Sequence, residues 1–211
     1  YFFNSFFVVV LTWAMMIVMT SVTAYAIAKF DNVFTRFLER FYIVAMAIPQ
    51  VLVMLPLFFM ASSLHMTNSL IWLSLFYAVQ SIPYYIYMLT PFIRNVSGTL
   101  VEAGIIDGAT EFGVFLRIVL PVCKPPLFVV SLMSIMGTWN EYITALTFIT
   151  DPAKYTVPIG VNYLVNGMKF SVDYGQLFAG LTLAIVPILI LYCIFQKPLQ
   201  EGLSSTEGTK G

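Results

Sequence analysis

The chain has 211 residues, of which 60% are hydrophobic and only 9% are charged, and its ten basic and ten acidic side chains cancel. An average soluble domain is about 25% charged, so twenty charged side chains cannot cover a globule of this size. The composition, with a mean hydropathy of +0.90, excludes an ordinary cytosolic enzyme, a disordered chain and a secreted disulfide scaffold. A net charge of zero gives no indication of nucleic-acid binding. The expected class is an all-α integral membrane protein.

Five apolar segments are long enough to cross about 30 Å of hydrocarbon. We predict transmembrane helices over residues 2–28, 41–61, 70–92, 127–149 and 174–196. The first lacks the basic n-region of a signal peptide, so it is expected to be a mature span. Polar residues 62–69 provide the turn within the uncharged stretch from 41 to 93. These spans make residues 1–199 a transmembrane domain, and residues 200–211 form a polar tail.

The basic residues predict the orientation of the chain. Two of them, Lys154 and Lys169, lie on one side of the predicted membrane. The other eight lie in the first and third loops and in the tail: Lys29, Arg36, Arg40, Arg94, Arg117, Lys124, Lys197 and Lys210. Because basic loops stay inside, the loop at 94–124 and the C-terminus are expected in the cytoplasm. Residue 1 is then outside, and one further helix before it would give six spans in the full-length protein.

Four prolines lie inside predicted spans, and each can kink its helix because it removes a backbone donor. They are Pro49, Pro56, Pro83 and Pro187. One interpretation is irregular packing, which membrane helices tolerate. The other is a set of helices shaped to line a path that opens and closes.

The loop at 94–124 has the pattern of two short helices. Thr99 and Glu102 form a Thr-x-x-Glu capping box, which predicts a helix from about residue 100. Gly108 either ends this helix or allows close approach of the backbone. Thr110 can cap a second helix that continues to about residue 120, where Pro121 is expected to stop it. The prediction is a helix–turn–helix elbow on the cytoplasmic face.

The charge of the elbow favours a protein partner over the bilayer surface. An amphipathic helix that lies on a membrane is usually rich in Lys and Arg. Between residues 101 and 120 there are three acids, Glu102, Asp107 and Glu111, and one base, Arg117. Anionic lipid would repel this segment, so a docking surface for another protein is the better interpretation.

The elbow resembles a motif of permease subunits from binding-protein-dependent ABC importers, which reads E-A-A-x-x-x-G-x(9)-I-x-L-P. Nine residues separate Gly108 from Ile118, as the motif requires. The one departure is Gly104 in place of the usual second alanine, which weakens a helix by roughly 1 kcal/mol. The resemblance implies a type I importer fold and assigns ATPase coupling to Glu102, Ala103, Gly104, Asp107, Gly108, Ile118, Leu120 and Pro121.

The resemblance also implies the partners. The short helix of the loop would sit in a cleft of a cytoplasmic ABC ATPase dimer, where Glu102 would pair with a basic group. The chain has no G-x-x-x-x-G-K-[ST] loop, so ATP and Mg belong to that partner. We therefore expect a non-catalytic permease subunit with no cofactor or metal of its own, in the inner membrane of a prokaryote. A second permease subunit in a heterodimer and an extracytoplasmic solute-binding protein complete the expected assembly.

Two further segments narrow the resemblance to the carbohydrate-uptake branch of this family. Residues 137–142 and 151–160 are similar to the type of subunit that includes the smaller maltose permease, and Asn4-Ser5 resembles the start of its second span. The resemblance implies that the chain forms half of a path for a sugar or oligosaccharide.

Trp139, Asn140 and Glu141 are candidate residues of that path. An acid within or near a span defaults to a functional hypothesis, and an aromatic face and an amide suit sugar hydroxyls. The alternative is structural, with Trp139 as an interface anchor and Glu141 paired with a neighbouring helix or the companion permease. The outer loop at 150–173 is expected to contact the binding protein, or else to be a plain connector.

Three other classes stay open at this point. A secondary transporter driven by an ion gradient should show internal repeats and ionisable groups near the midplane, and neither is evident in the sequence. A membrane scaffold without transport activity would not need the elbow motif. An ABC permease for a non-sugar solute, such as an amino acid or phosphate, would share the elbow but not residues 139–141.

Overall fold

The computed structural model describes residues 1–167 and 174–204, with side chains at 1–166 and 174–195. All regular structure in this part of the chain is helical, as predicted. The helices are α1 (Phe2–Lys29), α2 (Val33–Met46), α3 (Gln50–Ser63), α4 (Leu70–Arg94), α5 (Gly98–Ile106), α6 (Glu111–Val114), α7 (Leu120–Val122), α8 (Lys124–Asn140), α9 (Ile143–Phe148), α10 (Val157–Gly167) and α11 (Tyr174–Ser204). A π-helical turn (Phe115–Val119) joins α6 to α7, and a 3-10 turn (Pro152–Lys154) precedes α10.

Two helices are long and apolar enough to cross a membrane unaided. Within the described residues these are α1 and the Tyr174–Phe195 part of α11. Two bent helix pairs, α2 with α3 and Glu111–Val122 with α8, raise the number to as many as four. α4 is not among them, although its 25 residues are sufficient in length. Its four tyrosines, its glutamine and its two prolines dilute the apolar residues.

The predicted span at 41–61 is not one continuous helix. α2 begins at Val33, inside the expected charged loop, and ends at Met46 before α3 starts at Gln50. The Asn32 side chain accepts a hydrogen bond from the Thr35 N–H at 2.9 Å, and Thr35 Oγ1 accepts one from the Asn32 N–H at 3.2 Å. This reciprocal cap starts α2 early. Pro49 lies in the break, where it is the N-cap of α3 in extended conformation.

The predicted span at 127–149 is also interrupted, because α8 ends at Asn140 and α9 starts at Ile143. The outer loop at 150–173 proves largely helical where it is described. Pro158 is the second residue of α10, where a proline is well tolerated since the first N–H groups of a helix have no internal partner. Residues 168–173 of this loop and 205–211 of the predicted tail lie outside the described residues.

The chain divides into two compact units. The first comprises Tyr1–Met15, Pro49–Ala78 and Met133–Lys197, and its core is centred on Leu73, Phe76, Phe148 and Ile159. The second comprises Met16–Ile48, Val79–Leu132 and the C-terminal segment from Pro198. Its buried residues come from α1, α4 and the elbow: Ala24, Tyr25, Leu89, Ile93, Val96, Val114, Phe115, Val119 and Cys123.

One asparagine organises the first unit around residues 148–154. Asn68 has a positive φ of 54°, a conformation that asparagine adopts more readily than most residues. Its Oδ1 accepts from the N–H groups of Thr150 at 2.6 Å and Asp151 at 2.9 Å. Its own N–H donates to the Phe148 carbonyl at 2.8 Å, and its carbonyl accepts from Lys154 Nζ at 2.8 Å. We call this set the Asn68 bracket.

Candidate functional site

The elbow, residues 98–122, is two short helices packed against each other in the second unit. α5 ends in a Schellman arrangement, in which the Ala109 N–H donates to the Gly104 carbonyl and the Gly108 N–H donates to the Ile105 carbonyl. Gly108 has a φ of +84°, which a residue with a Cβ adopts only at a cost. The predicted turn at Gly108 is therefore confirmed, and it reverses the chain between α5 and α6.

The N-terminal caps of α5 and α6 agree with the sequence prediction at one helix and not at the other. Thr110 caps α6 as predicted, because its Oγ1 accepts from the Gly113 N–H at 3.2 Å. The capping box at Thr99 is wrong: α5 starts at Gly98, its N-cap Ser97 makes no capping bond, and the Ser97 and Thr99 hydroxyls bond each other at 2.7 Å. Pro121 does not stop the second helix either. It lies in the first turn of α7, which continues to Val122.

Gly104 holds the two arms of the elbow together. It is buried, and a Cβ at this position would lie 2.4 Å from Ile118 Cδ1 and 3.4 Å from Val114 Cγ2. Two of the residues in the motif, 104 and 118, are thus in direct contact across the elbow. The departure from the motif at Gly104 therefore has a packing role in this chain, because the isoleucine methyl occupies the space of the usual alanine methyl.

The base of the elbow is tied to the ends of α1 and α4. The Tyr25 hydroxyl donates to Glu111 Oε2 at 3.3 Å, and its ring lies 4.9 Å from the Phe115 ring, centroid to centroid. Lys29 Nζ donates to the Val96 carbonyl at 2.9 Å. Sequence analysis did not single out Tyr25, and it named Lys29 only as a basic residue of the first loop. The elbow is therefore bonded to α1 and shares one buried core with the ends of α1 and α4.

The tip of the elbow is open to solvent. Glu102, Ala103, Asp107 and Gly108 are exposed, and Ile106 is 84% exposed. Leu120 is half-buried and Pro121 is exposed at the far end. The predicted coupling residues thus separate into a packed pair, Gly104 and Ile118, and an exposed set that a partner can reach.

The second candidate site is the break between α8 and α9 in the first unit. Glu141 Oε1 accepts from the Thr144 N–H at 2.9 Å, and Oε2 accepts from the Ala145 N–H at 3.2 Å. The Tyr77 hydroxyl of α4 donates to the same Oε2. Sequence reasoning missed Tyr77, because nothing in the pattern of α4 marks it. Glu141 therefore caps α9 and joins it to α4.

The neighbours of Glu141 differ in exposure. Trp139 is half-buried, its Nε1 donates to the Ala184 carbonyl at 3.1 Å, and its ring contacts Phe2 with centroids 6.1 Å apart. Asn140 is exposed, and its amide nitrogen donates to the Met136 carbonyl at 2.8 Å. Trp139 therefore holds the end of α8 against α11, whereas the Asn140 side chain is exposed beside the break.

The fold resembles a solved transporter. A chain in the crystal structure of a bacterial ABC transporter involved in the import of the acidic polysaccharide alginate superposes with a TM-score of 0.79. The two chains share 21% identity, and the match covers 93% of this chain and 73% of the other. At this identity the likeness establishes the fold.

Relatives at higher identity are sugar-uptake permeases by name. The sulfoquinovosyl glycerol transport system permease protein SmoH of Agrobacterium fabrum is 34% identical over 99% of this chain and 72% of its own length. The galactooligosaccharides transport system permease protein GanQ of Bacillus subtilis is 30% identical over 99% and 73%. The arabinooligosaccharides permease AraQ of the same organism is 28% identical over 100% and 73%.

A family model described as the binding-protein-dependent transport system inner membrane component matches residues 16–204. Such a component is non-catalytic and works with an ATPase and a binding protein, which an ion-gradient transporter or a scaffold does not do. The chain thus belongs to this family and is a multi-pass inner-membrane permease of an ABC importer.

Proposed function

We propose that this permease forms half of the translocation path for a sugar or oligosaccharide, with five spans in this chain and a second, different permease subunit beside it. Support for the substrate class comes from the names of SmoH, GanQ and AraQ. The basic residues support an orientation with the elbow and the C-terminus in the cytoplasm.

The elbow is the part that couples to the ATPase dimer. The observation that carries this assignment is the contrast between its exposed tip and its packed base. Glu102 and Asp107 offer carboxylates to a basic cleft, and the exposed Ile105 and Ile106 offer apolar area. Such a combination of apolar anchor and charge is typical of a protein docking surface.

Movement of the tip is transmitted to α1 and α4 through the base. The Gly104–Ile118 contact holds the two arms together, and the Tyr25–Glu111 bond joins the elbow to α1. The Lys29–Val96 bond joins α1 to the residues between α4 and the elbow. When the ATPase subunits close on ATP, the elbow would carry these helices with it and change access to the path. The work comes from ATP bound by the partner.

The outer segment at 150–173 is proposed to contact the solute-binding protein. Its described part is held at a fixed geometry by the Asn68 bracket, and the Asn4 amide donates to the carbonyls of Ala153 at 2.9 Å and Tyr155 at 3.0 Å. A preorganised surface binds a partner with less loss of conformational entropy than a mobile connector would.

Of the residues at the α8–α9 break, Asn140 is proposed to meet the substrate. Its exposed amide can both donate and accept hydrogen bonds, as sugar hydroxyls require. Trp139 and Glu141 act as the structural supports of the break, since their polar groups bind Ala184, Thr144 and Ala145.

The coupling assignment is tested with Glu102→Lys in the complete complex, reconstituted in vesicles with its ATPase and binding protein. Reversing the charge should lower ATP-driven uptake at least tenfold, since a charge-assisted hydrogen bond contributes about 1.5–3 kcal/mol. Glu102→Gln should have an intermediate effect. Asn95→Lys, which adds a positive charge at an exposed position outside the motif, is the matched control and should stay within about twofold of the parent. Uptake that is unchanged in Glu102→Lys would show that the elbow does not couple through this residue.

The substrate class is tested separately with the purified binding protein of the same system. Calorimetric titration against neutral mono- and oligosaccharides, acidic sugars, amino acids and phosphate should give binding only for saccharides. Binding of an amino acid or phosphate instead would leave the coupling result standing and overturn the substrate proposal.

A further inference from the structure

α2 presents three distinct faces along its 14 residues. On one face Thr35 is buried, and Leu38 and Tyr42 pack against Ile27 and Ile86. A second face is exposed and apolar, and it comprises Val33, Phe34, Phe37, Phe41 and Val44. At 3.6 residues per turn these five positions form one continuous stripe about 100° wide. Three phenylalanines on an exposed stripe require an apolar covering.

The third face of α2 is basic. Arg36 and Arg40 are exposed and lie along one edge of the apolar stripe. Next to Arg36, a polar cavity of about 170 Å³ opens between the ends of α1, α2 and α4. Its charged and polar lining consists of Lys29, Asp31, Thr35, Arg36, Glu39 and Arg94. Residues of α2 therefore line the cavity and also form the apolar stripe.

The charge of this region is positive. Four bases, Lys29, Arg36, Arg40 and Arg94, stand against the two acids Asp31 and Glu39. Each acid is already engaged, Asp31 with Arg36 at 3.1 Å and Glu39 with Arg94 at 2.8 Å. Arg40 forms no ion pair with any residue that the structure describes. The surplus favours an anion.

We propose that α2 begins in the cytoplasmic interface of the bilayer, that its end continues with α3 as the second span, and that the basic edge and cavity bind the headgroup phosphate of an anionic phospholipid. The phenylalanine stripe enters the acyl region while the arginines extend to the phosphate level, the arrangement expected of an interfacial helix. Basic pockets beside cytoplasmic helix ends are suited to anionic headgroups. The elbow differs in this respect, because its acids would repel the same lipid.

The alternative occupant of the stripe is the companion permease. A protein surface would cover the phenylalanines equally well, but it would give no reason for a border of arginines with a positive surplus. A lipid accounts for both the apolar stripe and the charge. Which occupant is present can be decided by labelling, independently of whether the complex transports a sugar or couples through Glu102.

The test uses the complete complex in nanodiscs that contain phosphatidylglycerol or phosphatidylcholine with a photoreactive group on the acyl chain. Labelled peptides from α2 should be several-fold more abundant with phosphatidylglycerol. Arg36→Gln with Arg40→Gln should abolish this several-fold preference, because the positive charge that attracts an anionic headgroup is removed. Arg36→Lys with Arg40→Lys, which keeps the charge, should retain most of the preference.

Arg117→Gln is the matched control, because Arg117 is an exposed base of the elbow, outside the basic edge and cavity of α2. This substitution should leave labelling of α2 unchanged. Equal labelling by both lipids would overturn the proposal, as would labels on the companion permease in place of α2. Competition by inorganic phosphate would assign the cavity to a free anion and overturn the lipid assignment.

Discussion

The elbow and the α8–α9 break use their acidic residues in opposite ways. At the elbow Glu102 is exposed on α5, which ends at the Gly108 turn, and the next helix, α6, is capped by Thr110. At the break the Glu141 carboxylate is itself the cap, because it accepts two backbone N–H groups and the Tyr77 hydroxyl. The Glu102 carboxylate is therefore accessible to a partner, whereas the Glu141 carboxylate is bonded within its own chain.

Both residues are glutamates, and we propose that the exposure of Glu102 distinguishes its coupling role from the structural role of Glu141. A carboxylate within or near a span is costly unless it is paired, whereas a carboxylate exposed to water in a loop needs no partner within the chain. For Glu141 the partners are within the chain. For Glu102 we propose that the partner is on another subunit, and substitutions at the two acids should therefore affect different measurements.

Glu141→Ala should have the largest effect on stability. It leaves the N–H groups of Thr144 and Ala145 without their acceptor and removes the partner of the Tyr77 hydroxyl. We expect a loss of about 2–3 kcal/mol, from the loss of a cap and of a charge-assisted hydrogen bond. The melting temperature of the purified complex measures it. Tyr77→Phe, which removes one bond only, should cost about 1 kcal/mol. If the melting temperature is unchanged in Glu141→Ala but sugar uptake is lost, the role of Glu141 is in transport and not in stability.

Gly104→Ala should have an intermediate effect that depends on residue 118. The new methyl would lie 2.4 Å from Ile118 Cδ1, so we expect overpacking of about 1–3 kcal/mol, offset by roughly 1 kcal/mol of helix propensity. In an Ile118→Val background, which removes that methyl, Gly104→Ala should instead be stabilising. Melting temperatures of the four variants form a double-mutant cycle. Additive effects would show that the arms of the elbow are not joined through this contact.

Tyr25→Phe should have the smallest effect on stability, about 0.5–1 kcal/mol, because it removes one partly buried hydrogen bond to Glu111 and leaves the ring on Phe115. If the Tyr25–Glu111 bond transmits movement, the amount of solute taken up per ATP hydrolysed should fall in Tyr25→Phe even though the melting temperature changes little. Thr23→Ser, a conservative change elsewhere on α1, is the comparison variant. An unchanged ratio of uptake to hydrolysis in Tyr25→Phe would indicate that this bond does not transmit movement.

The class of the protein and the position of the elbow followed from the sequence because both depend on local patterns. Apolar length predicts spans, and Gly108 predicts a turn because its positive φ excludes most other residues. Most of the exposed residues that we propose for coupling lie within 102–108, so a short motif can represent them.

Neither break was predicted as a helix end, because hydropathy marks neither one. Pro49, expected only to kink its helix, lies in the first break, and the Glu141 carboxylate caps the helix after the second. Residues 47–49 are as apolar as the segments on either side, so hydropathy does not show that α2 ends at Met46 or that α3 begins after Pro49, and the cap at Asn32 decides only where α2 begins. The pairing of Glu141 with Tyr77 joins positions 64 residues apart. No spacing rule within one sequence indicates such a pair. α10 was taken for a loop because Pro158 and Gly160 suggest one, although buried Ile159 and Val157 hold it as a helix.

The Asn68 bracket has a consequence for the biosynthesis of the protein. Its acceptor at Asn68 is made 83 residues before the Asp151 N–H that it binds. At 5–20 residues per second this is a wait of about 4–17 s on the ribosome. Most of the second unit, residues 16–48 and 79–132, is complete before Asp151 is added. We therefore expect the elbow and the parts of α1 and α4 that pack against it to fold during synthesis. The first unit can complete its packing only when the last third of the chain has been inserted.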